Sequence, residues 1–311
     1  MIRRLGVVLA FGMIIAGPAE ALGATAEPAS AAKPAVHDHV AGLAGTLRCS
    51  PDRGRRLVWH GGRVYPEGLE TIVYWGSWWR THGRQVESEL NHLYTGLNVS
   101  AWATTLSQYC DSSGPPVNVS PGLRASVIDT DNPPGAPTDR QFGAVVRKYC
   151  CTGDLPSMVI VVTPPGSSPA YDTGLVCGHH SFTTASDDGG TFSLPWIDIP
   201  YGHIRKTRGC GWGLERGVAG ALSVVAGHEL AEAITDPFPN TSARAGLGTG
   251  WATARRKGRR EAEVADLCEP LVHPRASQGN VFLLKLKTGI FVMQKLWSNE
   301  RGGEGKCVEG S

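Results

Sequence analysis

His228, Glu229 and Glu232 lie within the run LSVVAGHELAEAITDP at residues 222–237. The run predicts a helix, because Val218, Leu222 and Val225 recur at helical spacing and Ala, Leu and Glu dominate it. Pro237 should end the helix near 235–236, since it disfavours the α conformation in the residue before it. Residues four apart on a helix lie one turn above each other, so His228 and Glu232 present an imidazole and a carboxylate to one face. Glu229 is adjacent in sequence but rotated around the helix. This is the layout of the HExxH zinc helix with a carboxylate in place of the second histidine. The chemistry it suits is a metal site with a general base beside it. The plainer alternative is a partly exposed helix whose imidazole and carboxylate satisfy each other.

Several elements must position these residues. The stretch 71–75, TIVYW, is β-branched and aromatic and predicts a strand. Val86, Leu90, Leu93 and Leu97 mark one face of a helix over 85–97. A strand is expected at 125–128, and Thr138-Asp139 should cap a helix running to Tyr149. The run MVIVVT at 158–163, bounded by Pro156 and Pro164, reads as a strand buried on both faces. Strands are also expected at 177–182 and 194–199 around a Gly/Asp turn at 187–190, the second at a sheet edge because it contains Pro195. Residues 57–65, LVWHGGRVY, suggest a short hairpin about Gly61-Gly62, and a loop carries Trp102 and Cys110. The chain closes with a β pair, 281–286 and 290–296, turning at Thr288-Gly289. The fold class expected is α/β (α+β): a single domain with a mixed sheet, a zincin-like core helix and a C-terminal β-hairpin, stabilised by disulfides.

The N-terminus reads as a secretory signal. Arg3 and Arg4 precede an apolar run at 5–16 that is too short to span a bilayer, and small residues then offer cleavage sites up to Ala26. The organisation expected is a signal peptide at 1–26, a flexible Ala/Pro-rich leader at 27–56 and a secreted domain at 57–311. The location that follows is extracellular or periplasmic. No other segment is long and apolar enough for a transmembrane span. A formal charge of +2 gives no case for nucleic acid. All eight cysteines follow the signal, and an even count in an exported chain favours disulfides. Cys150 and Cys151 are expected to take different partners. No CxxC pair supports a structural zinc ribbon.

Five blocks taken together carry a family resemblance. They are LVWHGGRVY with ETIVYWGSWW, the apolar strand before Cys177-Gly178-His179-His180, GHELAEAITDP at 227–237, EVADLC at 263–268, and LWSN with Cys307. This set resembles the bacterial branch of the EXORDIUM-like, phosphate-induced protein family of secreted proteins. The chain departs from that pattern at Ala265, where glycine is usual, and in an enlarged basic stretch at 241–260. Plant relatives carry mostly neutral residues at the helix. The resemblance implies an extracellular location and transfers no activity.

A catalytic zinc takes three protein ligands and leaves a position for water. His228 and Glu232 are two candidates, and the third is expected from EVADLC, as Glu263 or Asp266. Cys268, if bridged, for instance to Cys307, would fix that segment beside the core. Glu229 is the candidate general base, taking a proton from the attacking water. Asp236 is a candidate to orient His228 or to act as another ligand. One histidine with two carboxylates suits zinc, with manganese or calcium also admissible. His179 and His180 are read first as packing residues, with His180 able to reach the site. His37 and His39 read as part of a polar terminal segment.

The reading that follows is a secreted metal-dependent hydrolase acting on peptide or protein substrates. Its rival is a non-catalytic extracellular protein binding cell-wall polysaccharide or a protein partner. Trp75, Trp78 and Trp79 would be a stacking platform for sugars if exposed, although strand alternation buries at least one of them. Ser167-Ser168 has no nucleophile elbow. The basic 255–260 cluster reads as a solvated loop, and oligomeric state is left open.

Overall fold

The computed structural model describes residues 56–65, 69–97, 100–114, 116, 122–151, 158–170, 176–187, 190–204, 210, 217–241, 247–254, 261–269, 280–299 and 305–310. The expected signal peptide, the leader up to residue 55 and the basic 255–260 cluster lie outside these residues. The first half of the chain forms β1 (Leu57–Trp59), β2 (Leu69–Trp75), α1 (Trp79–His82), α2 (Arg84–Leu97), α3 (Ala101–Thr104), β3 (Gly122–Asp129), α4 (Asp139–Tyr149) and β4 (Met158–Thr163). The second half forms β5 (His179–Asp187), β6 (Gly190–Pro200), α5 (Tyr201–Ile204), α6 (Gly217–Thr235), β7 (Trp251–Thr253), β8 (Val281–Leu286), β9 (Gly289–Gln294), β10 (Leu296–Ser298) and β11 (Lys306–Val308).

A five-stranded mixed sheet in the order β3-β2-β4-β6-β5 organises the fold. The first four strands run parallel, and β5 pairs antiparallel to β6 through a hairpin. Alternation along each strand divides the core in two. Ile72, Tyr74, Ile160, Val162, Ile197 and Ile199 point to the face covered by α2 and α6. Val73, Trp75, Val159, Val161 and Trp196 point to the opposite face, against Phe142, Val145 and Val146 of α4. Two covered faces explain why β4 is buried at every position and apolar up to Thr163. Helix α4 starts where Thr138 predicted it, with Gln141 Oε1 accepting from the Thr138 backbone N–H at 2.9 Å.

Helix α6 is buried along almost its whole length, packed on β5 and β6 on one side and on β9 and α2 on the other. A helix enclosed this way is apolar all round, and the few charges it carries must be matched where they point. The described helices include none long and apolar enough to cross a membrane.

Several local expectations change. Residues 57–65 do not fold on themselves. β1 pairs antiparallel with β7, and beyond it His60 and Gly62 donate backbone N–H groups to Gly250 and Thr249. Gly62 fits only without a side chain, since a Cβ there would lie 2.0 Å from the Gly248 carbonyl oxygen. The 194–199 strand is internal to the sheet, and β5 holds the edge. Pro195 is tolerated because the ladder to β4 begins one residue later, at Trp196 opposite Val159, so its missing N–H breaks no bond there. The expected loop at Trp102 is helical, α3 being capped by the Ser100 side chain and continued by a 3-10 turn at Thr105–Gln108.

The disulfides Cys177–Cys210 and Cys268–Cys307 are formed, and Cys110 is disulfide-bonded as well. Cys150 and Cys151 are bonded to each other, not to different partners. No described cysteine is free.

Glu70, at the start of β2, is 0 % exposed, and neither of its carboxylate oxygens has a hydrogen-bond partner. Burial therefore pushes its pKa well above the ordinary value of 4.5. A raised folded-state pKa makes the group least costly below the unfolded pKa and progressively more costly as pH rises above it. Glu70→Met is expected to stabilise the fold by about 1–3 kcal/mol at neutral pH in chemical denaturation. The gain should shrink at pH 4, and equal or lower stability at both pH values would show that Glu70 has a role in the fold.

Candidate functional site

α6 presents its acidic and histidine side chains to a cleft of about 420 Å³. The cleft is walled by α6, by residues 176–180 entering β5, and by residues 261–269 after β7. His228 and Glu232 meet as one helical turn dictates, with Nε2 at 3.2 Å from Oε1. The ring of His228 is aimed from behind. Its Nδ1 lies 3.0 Å from Gln294 Oε1, and Gln294 Nε2 donates to the Ala265 carbonyl at 2.6 Å. The second bond fixes which end of the amide faces His228, so Nδ1 carries the proton when the ring is neutral. Nε2 is then left with its lone pair toward the cleft, where Asp266 Oδ1 lies 3.7 Å away.

The 261–269 segment is pinned from several sides. Ala262 exchanges hydrogen bonds with Thr253 of β7, Trp297 of β10 donates to Val264, and Cys268 is bonded to Cys307 of β11. The Asp266 N–H donates to Glu232 Oε1 at 3.1 Å, which joins the segment directly to α6. Asp266 Oδ2 accepts from the Glu263 N–H at 3.1 Å, leaving Oδ1 toward His228.

A second histidine enters from the sheet. His180 pairs with Ile197, and because Ile197 points to the α6 face, so does His180. Its Nδ1 lies 3.4 Å from Glu229 Oε2 and 3.7 Å from Glu232 Oε2, and its Nε2 lies 3.4 Å from Glu263 Oε2. His179 points to the other face, edge-on to Trp196. Gly178 permits the close approach, since a Cβ there would lie 2.7 Å from Glu229 Oε1.

The structure therefore brings His228, Glu229, Glu232, Glu263 and Asp266 together. Asp236 also lines the cleft, but its Oδ1 accepts from the Gly250 N–H at 2.8 Å, holding the chain entering β7. The residue that orients His228 is Gln294. Sequence reasoning missed Gln294 and ranked His180 as packing. The available signals were weak: a glutamine ending an otherwise apolar strand, and strand alternation that sends one of two adjacent histidines toward the helix.

Charge is concentrated here. Among the described residues, seven carboxylates (Glu229, Glu232, Asp236, Glu261, Glu263, Asp266 and Glu269) line the cleft, and no Lys or Arg does. Burial opposes charge on His180, but Glu263, Glu229 and Glu232 outweigh it and lift its pKa to about 10. Burial likewise opposes charge on His228, and Glu232 outweighs it. Burial would raise Glu232, yet His228 holds it below the usual range. Burial pushes Glu263 well up, and pushes Asp266 up to about 6 with help from the Glu232 charge. A cluster this acidic needs positive charge, which protons on the two imidazoles or a bound cation can supply.

Two ligand sets converge within 4.8 Å: His228 with Glu232 and Asp266, and His180 with Glu229 and Glu232. The donor chemistry, imidazole with carboxylate, fits zinc or manganese better than calcium, which favours all-oxygen sets. Gln294→Met removes the group that orients His228 and leaves every ligand in place. It should weaken divalent-cation affinity by about 10–100-fold in a calorimetric titration. Unchanged affinity would mean that the ring needs no support.

The tryptophans form no exposed row. Trp75 and Trp79 are buried, and the half-buried Trp78 is stacked on the His82 ring and packed edge-on against Trp79. No family model matches the chain, and no curated protein or solved structure is significantly similar to it.

Proposed function

We propose that this protein is an exported, metal-dependent hydrolase acting on peptide bonds. The observation that carries the reading is the convergence of His228 Nε2, Glu232 and Asp266 in an open cleft, with Nδ1 of the histidine already held by Gln294. This is the donor set and orientation that a catalytic cation requires. When bound, a divalent cation polarises the scissile carbonyl and lowers the pKa of water toward ~7. The protein's own part is to aim His228, to anchor Asp266 through the Glu232 bond, and to place Glu229 in the same cleft to accept the proton of the attacking water.

A peptide is favoured as substrate because β5 is the edge of the sheet and its first residues wall the cleft. An extended chain can bond to such an edge through its own backbone. The disulfides accord with export to an oxidising compartment. The buried tryptophans weaken the rival polysaccharide-binding reading.

The test is elemental analysis of the purified protein, with hydrolysis of a quenched peptide library measured with and without chelator. Zinc or manganese in the protein, with cleavage that chelator abolishes and metal restores, is the expected result. Absence of metal after reconstitution, or cleavage indifferent to chelator, overturns the reading.

A further inference from the structure

We propose that the cleft holds two divalent cations, with Glu232 bridging them. The inference rests on the hydrolase reading for the first position, formed by His228, Glu232 and Asp266, and adds a second formed by His180, Glu229 and Glu232.

The division of Glu232 is the starting point. Its two oxygens face different histidines: Oε1 is 3.2 Å from His228 Nε2, and Oε2 is 3.7 Å from His180 Nδ1. Each set consists of one imidazole and two carboxylates, and Glu232 is the one member they share. A carboxylate offering one oxygen to each of two sets is the bridging arrangement of two-metal hydrolytic centres.

The second position has the support a ligand histidine needs. His228 is backed by Gln294 on the nitrogen that faces away from its set, and His180 is backed by Glu263 on Nε2. A histidine ligand usually has a carboxylate or carbonyl behind it in this way. An independent sign comes from unmet bonding. His180 is only 5 % exposed, yet its Nε2 has no hydrogen-bond partner, and neither has the buried Glu263 Oε2 it faces. The two atoms lie 3.4 Å apart, short of a full hydrogen bond, and a buried pair held at that separation is costly. A cation on Nδ1 keeps the proton on Nε2 and directs it at Glu263. The charge balance agrees, because among the described residues seven carboxylates line the cleft without a Lys or Arg.

Glu229 then serves the second ion through Oε2, the oxygen facing His180. Its proton-accepting role belongs to the state with only the His228 position filled.

The experiment is equilibrium dialysis of the full exported protein against Mn²⁺ and, separately, Zn²⁺, followed by elemental analysis. Electron paramagnetic resonance of the Mn²⁺-loaded protein is recorded beside it. Two ions per chain, an exchange-coupled Mn²⁺ spectrum, and a fall to one uncoupled ion in His180→Gln are expected. One ion per chain with an uncoupled spectrum, retained in His180→Gln, overturns the two-cation centre and leaves the single-metal hydrolase standing. No ion in the wild-type protein overturns both. Should His180→Gln fail to fold, the wild-type stoichiometry and spectrum decide the question alone.

Discussion

Glu232→Gln should abolish divalent-cation binding and lower kcat/KM by roughly 10³-fold, the equivalent of about 4 kcal/mol of transition-state stabilisation. Glu232 belongs to both candidate ligand sets found among the described residues, so removing its charge affects both. The glutamine retains a side-chain oxygen to accept the Asp266 N–H, which isolates the electrical effect from the structural one. Thermal unfolding without metal should come at a somewhat lower temperature, because His228 loses its buried charge partner, while dialysis against Zn²⁺ or Mn²⁺ leaves the variant empty. Wild-type cation affinity in this variant would sink the assignment of Glu232 as a ligand, whatever happened to turnover.

Glu229→Gln is the second large effect. It leaves His228, Glu232 and Asp266 untouched, so at least one cation per chain should remain. With only the His228 position filled, loss of the proton-accepting carboxylate should still lower kcat by about 10²–10⁴-fold. Steady-state kinetics separate this from a binding defect, because KM should change far less than kcat. Turnover at the wild-type rate would remove Glu229 from the chemistry, and complete loss of metal would make it a ligand of the first position.

What could be read in advance follows from the range of the interactions. β4, α2 and α4 are specified by residues close together in sequence: the apolar run 158–163, the leucine spacing of 86–97, and the Thr138–Gln141 cap. His228 and Glu232 are legible for the same reason, since one helical turn sets their contact. The backing of His228 is not, because Gln294 arrives on a hairpin strand with no local pattern linking it to α6. His180 depends on which face of β5 meets the helix, and that is set by pairing with β6. Pro195 shows a local rule overruled by register: the ladder between β4 and β6 begins at Trp196, so the proline withholds no bond from β4. The 57–65 stretch failed because both of its halves find better partners at 247–253 than in each other.

The Cys268–Cys307 bond bears on timing. It fastens the turn that carries Asp266 to β11, so the site is completed by a covalent step that joins segments 39 residues apart. A newly made chain in a reducing cytosol has no such clasp, and its Asp266 turn relies on a handful of hydrogen bonds. Oxidation then acts as a clasp on the candidate site, one that an oxidising compartment forms and retains.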